Sequence, residues 1–365
     1  MNTLSNATAK GRSNTAGCFK LAVFFLACLC TFSACPQDAS GGGSAVLPYV
    51  VNGKLYSFCP SSLEADRITK HELFNVPDSF TQNATAASKK NGYILAWNQQ
   101  NKKLYHITGQ KAASKVDLKA NLVYAGSNYV LAQSSSFTDN KGFPFTLYSI
   151  KYSLNGRKIK LRSVWSGYID CFVSNFFFTS AGVCVAGGTR DDTKNNVFYI
   201  TEDGIHKCFS TAKDSDFLRL VPVEQPNGSG ITSVYAFLSC REKVSREATL
   251  FSFKLEATPE QAQTINLGVD ALLPQDFDCF FGYGFELNGK IVLPASINNE
   301  INFVCYDYAE GKIASVISDA VGCFAALANS PDGFYYIARD PTIEDSWYGI
   351  SLFDGQECKK ITKFF

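Results

Sequence analysis

The chain has 365 residues, and 34 Lys and Arg against 33 Asp and Glu leave a net charge of +1. Thirty Phe, 17 Tyr and three Trp stand beside only 18% charged residues, which excludes a disordered chain and describes a packed globular one. No basic block of the kind that follows a phosphate backbone is present, so nucleic acid is not an expected partner.

Residues 1–34 carry Lys10, Arg12 and Lys20 and no acid, followed by the apolar run Leu21 to Ala34 and then Cys35. This is the order of a secretory leader. The apolar run has 14 residues, short of the roughly 20 that a spanning helix needs. The junction Phe32-Ser33-Ala34-Cys35 resembles the lipobox of bacterial lipoproteins, with Phe32 where that family usually has Leu. The resemblance implies cleavage before Cys35, acylation of Cys35 and attachment of the chain to a bacterial membrane in the cell envelope, at the periplasmic or the outer surface. Residues 35–44 then form the lipidated Cys and a Gly/Ser tether, and residues 45–365 the folded body. Without the leader the chain has a net charge of −2, so basic attraction to lipid is not expected to be the anchor. Nine of the 13 Cys belong to the body. They sit in apolar runs such as Cys279-Phe280-Phe281 and read mostly as small buried hydrophobes, leaving room for one or two disulfides.

The body repeats one unit. The element Leu55-Tyr56-Ser57-Phe58 recurs from Leu104, Leu147, Val197, Leu250, Phe303 and Trp347, at spacings of 49, 43, 50, 53, 53 and 44 residues. A mean period of about 49 is that of a four-stranded propeller blade. Asn-Gly and Asp-Gly pairs, from Asn52-Gly53 to Asp354-Gly355, mark tight hairpins. Apolar runs such as Tyr93 to Trp97, Tyr129 to Ala132, Val234 to Leu238, Lys290 to Leu293 and Phe334 to Ile337 read as second strands covered on both faces. In the fourth unit, Cys171 to Ser174 reads as the inner strand, Phe176 to Ala186 as the second, Asn196 to Thr201 as the third and Ile205 to Phe209 as the outer. The expected fold is all-β, a β-propeller of seven four-stranded blades; six or eight blades, or a paired β-sandwich, are the alternatives. Only Ala45 to Val51 precedes the first copy, room for one strand where two are expected. Outside the leader, only Thr258 to Ala262 has helix-forming composition.

Catalytic equipment is sparse. His71, His106 and His206 fall at unrelated positions of three repeats and form no short metal pair, and no nucleophile elbow or phosphate loop is present. Asp78, Asp170, Asp216 and Asp278 precede or sit within the inner strands of four repeats. Facing an axial funnel they would form an acidic arc for a cation such as Ca²⁺; the bland alternative is that each caps the turn into its strand. Phe177, Phe281 and Tyr283 lie in aromatic clusters dense enough to line a sugar or peptide site, or to pack between blades. The long segments Ser134 to Phe145, Gly187 to Asn196, Arg241 to Thr249 and Asp340 to Ser346 would form a variable binding surface.

The resulting expectation is a lipid-anchored, non-enzymatic binding or scaffold protein with a protein or glycan partner and no cofactor. Two alternatives are a propeller hydrolase or lyase using a funnel-bound cation and a subunit of an envelope assembly complex.

Overall fold

The computed structural model describes residues 46–67, 76–90, 92–109, 111–135, 141–191, 193–212, 217–224, 231–239, 249–256, 258–265, 277–280, 284–297, 300–318, 324–330, 333–339 and 348–363. Within them, strands pair antiparallel into seven sheets in chain order. The first sheet holds β1 (Leu47–Val51), β2 (Lys54–Cys59) and β3 (Glu64–Arg67). The second holds β4 (Phe80–Ala87), β5 (Tyr93–Asn98), β6 (Lys103–Thr108) and β7 (Lys111–Asp117), and the third β8 (Leu122–Ala125), β9 (Tyr129–Gln133), β10 (Phe143–Tyr152) and β11 (Ile159–Ile169). The fourth has β12 (Asn175–Phe178), β13 (Gly182–Gly188), β14 (Lys194–Thr201) and β15 (Gly204–Ala212). The fifth has β16 (Phe217–Glu224), β17 (Ile231–Ser239), β18 (Thr249–Phe253) and β19 (Gln263–Ile265). In the sixth, β20 (Phe277–Phe280) and β21 (Phe285–Leu287) both pair with β22 (Lys290–Ile297), which continues to β23 (Glu300–Asp307) and β24 (Lys312–Ser318). The seventh has β25 (Phe324–Ser330), β26 (Gly333–Arg339), β27 (Tyr348–Phe353) and β28 (Cys358–Lys363). Residues Pro259–Gln261 make a single 3-10 turn, where the Thr258 N–H donates to Gln261 Oε1 at 2.8 Å.

The arrangement is a β-propeller, and its packing shows why the second strands are continuously apolar. Alternate side chains of one strand feed two different cores. Ile94 and Ala96 of β5 pack with Leu55 of the first sheet, whereas Leu95 and Trp97 pack with Val123 and Val130 of the third. In β13, Val183 and Val185 join Leu131 and Leu147 of the third sheet, while Cys184 and Ala186 join Leu220 and Val234 of the fifth. The series continues with Val221 against Leu293 and with Val292 against Phe334. It returns to its start with Tyr335, Ile337 and Ile350 against Leu47, Tyr49 and Phe58. This last contact closes a ring, which a pair of sandwiches does not form.

The expectation of uniform four-stranded units is corrected in two sheets. β20 and β21 lie against opposite ends of β22, so the inner strand of the sixth sheet is one strand position split in two. The first sheet has no inner strand among the described residues. The tip Asn52-Gly53 packs where β4 begins: Phe80 N–H donates to the Gly53 carbonyl at 3.0 Å, and a Cβ on Gly53 would lie 2.5 Å from the Asp78 carbonyl oxygen. In the other sheets that end carries the loops between second and third strands and the crossings from sheet to sheet; we call it the crossover face. β1 therefore occupies a second-strand position, and its inner edge has no strand partner among the described residues. That edge is blunted chemically. Pro48 has no N–H, and the Val50 N–H donates to Gln82 Oε1 at 2.7 Å. Gln82 reaches β1 because β4 bulges: Phe80 opposes Asn98 and Thr85 opposes Ala96, leaving Thr81 to Ala84 opposite the single residue Trp97.

The fourth unit is corrected as well. Cys171 to Ser174 belongs to the crossing, and Phe176 to Ala186 is two strands joined by a turn. Thr179 makes the turn, its Oγ1 accepting the Ala181 and Gly182 N–H groups at 3.1 and 3.0 Å while its own N–H donates to the Gly182 carbonyl at 2.9 Å.

Candidate binding face

The crossover face collects the residues with most capacity to meet a partner. Asp78 and Asp170 both lie there, exposed, on the crossings into the second and fourth sheets. Asp278 falls within β20, while Asp216 and the aromatic candidates Phe281 and Tyr283 lie outside the described residues, as does Cys35. Among the described residues no three His, Cys, Asp or Glu side chains surround a common point that could hold a metal. Inner-strand amides serve the backbone: as Gln82 caps β1, Asn175 Oδ1 accepts the Leu220 N–H of the neighbouring sheet at 3.4 Å. Phe177 is corrected to core. It is 1% exposed and packs among Cys184, Val197 and Leu220, because alternation along β12 turns it toward the fifth sheet.

Phe172, which the sequence places on an inner strand, does reach solvent. It is 54% exposed, yet its backbone and ring are fixed. Its N–H donates to the Gly188 carbonyl at 2.8 Å, and its ring meets Phe143 edge-on at 4.7 Å. Gly187 permits this approach, since a Cβ there would lie 1.7 Å from the Phe172 carbonyl oxygen. Tyr168, 44% exposed, stands on the other side of Asp170, with Lys141 Nζ 5.7 Å from its ring centre. The Asp170 carbonyl accepts the Asn196 side-chain amide at 3.3 Å. A held aromatic ring loses little further freedom on binding, which makes it a better anchor than a mobile one. The loop at Thr189 to Lys194 beside it is also internally tied. Asp191 Oδ1 accepts from the Thr189 hydroxyl at 2.6 Å and the Thr193 N–H at 3.2 Å, and these bonds lower the Asp191 pKa.

A buried polar pair lies at the opposite end of the second sheet. His106 Nε2 is 2.9 Å from Ser88 Oγ, and the ring is stacked on Tyr93 at 4.6 Å and abutted by Tyr152 at 5.5 Å. The spacing is that of a nucleophile and its base. Burial, however, lowers the His106 pKa from 6.5 to about 4, Nδ1 makes no well-formed hydrogen bond, only a weak approach to the Arg157 backbone, and the two tyrosines wall off the ring. The pair acts as a neutral brace. Cys171, Cys184, Cys208 and Cys305 are buried free thiols, and Cys59 is a half-buried one. Desolvation raises the Cys171 and Cys184 pKa values, which makes those thiols inert.

No protein-family model and no curated protein sequence matches the chain. Solved structures do. Hydrazine synthase from Kuenenia stuttgartiensis superposes with a TM-score of 0.51 at 9% identity, over 89% of this chain and 96% of that one. The β-propeller domain of the Trilobed protease from Pyrococcus furiosus, described as having an open velcro topology, gives a TM-score of 0.50 at 13% identity, over 91% of this chain and 97% of that one. The likeness is one of fold alone. Among the described residues, no helix is long and apolar enough to cross a membrane.

Proposed function

We propose that this chain is a lipid-anchored propeller of seven blades, held to a bacterial envelope membrane through Cys35, that presents its crossover face to a protein or glycan partner without catalysing a reaction. The observation that carries the reading is Phe172, a solvent-facing ring held in place by Gly187, Gly188 and Phe143. Aromatic anchors with adjacent charged groups such as Asp170 and Lys141 suit both sugar and peptide recognition. Attachment by two or more acyl chains would be effectively permanent, each buried methylene contributing about 0.8 kcal/mol.

Two measurements test the proposal. Palmitate labelling and detergent-phase partition of the full chain should be lost in Cys35→Ser. A photocrosslinker at position 172 should capture a discrete protein in intact cells or retain a glycan on an array, with loss of at least tenfold in a Phe172→Ala chain that stays folded. Labelling that survives Cys35→Ser removes the anchor, and a Phe172→Ala chain that binds as the parent does removes the face.

A further inference from the structure

The net charge of +1 conceals two large opposite charges. Residues 80–169, which form the second and third sheets, contain 13 Lys and Arg and two Asp, a net of +11. The rest of residues 45–365 contains 18 Lys and Arg and 30 Asp and Glu, a net of −12. The division follows the fold, since one pair of adjacent sheets holds nearly all of the excess positive charge.

Within that pair five of the 13 cations lie on the strand tips at the end away from the crossovers, on what we call the hairpin face. Lys89 and Lys90 lie on the β4–β5 tip, Lys111 opens β7 beside the β6–β7 tip, and Arg157 and Lys158 lie on the β10–β11 tip, all exposed. The tips of the two sheets touch. The Lys90 stem lies across Gly156, where a Cβ would meet its Cδ and Cε at 2.8 Å, and the Ile159 N–H of β11 donates to Ser114 Oγ of β7 at 3.3 Å. No acid occurs in the sequence of either tip, Ser88 to Gly92 or Ser153 to Lys158. Asp117 is committed to Lys103, 3.7 Å away, at the crossover end of β6 and β7. Acids on the hairpin face belong to other sheets: Glu64 on the first, Glu202 and Asp203 on the fourth, Glu256 and Glu260 on the fifth, Glu286, Asp307 and Glu310 on the sixth, Asp354 and Glu357 on the seventh.

The start of the body lies on the same face. Because the β1–β2 tip sits on the crossover face, Leu47, at the other end of β1, lies on the hairpin face, in the sheet next to the second. Ten residues, 36–45, separate Cys35 from the first described residue, a covalent reach of at most about 36 Å. Wherever Cys35 is held, the basic tips are held nearby.

We infer that the hairpin face of the second and third sheets is a docking surface for the anionic headgroups of a lipid bilayer, met obliquely so that the acidic tips of the fourth to seventh sheets point away. This deepens the proposed function, using the Cys35 anchor only to orient the body. Each Lys or Arg close to an anionic surface contributes about a fivefold gain in partitioning, and the effect decays within a Debye length. Five such groups would align the disc and aim the crossover face outward.

The test uses a chain beginning at Pro36, which cannot be acylated yet retains every core cluster of the ring. It is sedimented with vesicles of phosphatidylcholine alone or mixed with phosphatidylglycerol. Binding should require phosphatidylglycerol and disappear as salt rises from about 50 to 500 mM. Lys89→Gln, Lys90→Gln and Arg157→Gln together should weaken it about a hundredfold with the melting temperature unchanged. Equal binding to both vesicle types, no binding to either by folded protein, or full binding by the folded triple variant would each overturn the inference. So would retention on a dextran sulfate matrix without vesicle binding, or salt-sensitive self-association without it. Acylation plays no part in this experiment, and these lysines play none in the Cys35→Ser experiment, so the two can fail separately.

Discussion

Acidification should weaken this protein through one side chain. His106 is fully buried against Tyr93, Tyr152 and Ser88, and burial holds its pKa at about 4 instead of 6.5; the Arg157 backbone opposes the shift without outweighing it. The folded state therefore favours the neutral ring, while the unfolded chain takes up a proton near pH 6.5. Stability from this site is complete above pH 6.5, declines as the pH falls toward 4 and is constant below that. The gap between 6.5 and about 4 corresponds to about 3 kcal/mol, a large part of a typical folding free energy. Urea unfolding of the parent and of His106→Gln at pH 7.5, 5.5 and 4.0 isolates the contribution, because the carboxylates that titrate in the same range are common to both. The parent should lose about 3 kcal/mol more than the variant across that interval. A His106 imidazole resonance, assigned by its loss in His106→Gln, that titrates near 6.5 in folded protein, or parallel pH profiles for the two chains, would refute the reasoning.

Two further outcomes follow from the packing. Gln82→Ala should leave the Val50 N–H without an acceptor and cost about 1–3 kcal/mol, with faster hydrogen exchange at Val50 as the specific sign; unchanged exchange there would show that another group caps the edge. Cys184 and Cys208 should remain thiols in diamide-treated folded protein. They belong to β13 and β15 with β14 between, so their Cα atoms are at least about 9.6 Å apart, beyond the 4.4–6.8 Å of a disulfide, and a 184–208 cross-linked peptide in mass spectrometry would contradict the pairing.

The parts of the fold visible in the sequence are those whose side chains face two cores at once. Leu104 to Ile107 in β6, Leu147 to Ile150 in β10 and Val197 to Ile200 in β14 repeat because each such strand must feed the sheet before it and the sheet after it. Second strands such as Tyr93 to Trp97 are visible for the same reason. Asn52-Gly53 and Asn288-Gly289 were legible because all four residues adopt positive φ, between 50° and 75°. Inner strands were not. Gln82 and Asn175 carry amides that serve the neighbouring backbone, which breaks the apolar pattern. In the fourth unit the Thr179 turn has neither Gly nor Asn at its centre, so two strands read as one. Phe172 and Phe177 exchanged roles through that misplacement. The Ser88–His106 contact carries no sequence signal, because its partners come from different strands. The charge division was hidden by summation over sheets that face different ways.

Among the described residues, ring closure at Phe58 and Tyr335, whose rings lie 5.2 Å apart, joins two sheets that share no strand: the first comes from the start of the body and the last from its end. A circle fastened this way has a clasp. Tension applied at the start of the body would be delivered to β1, a strand laddered on one side only among the described residues, and would strip it from β2 bond by bond. The molecule thus carries a mechanical fuse at the start of its body, and a sustained pull there would part the clasp and spread the disc while the other sheets stayed whole.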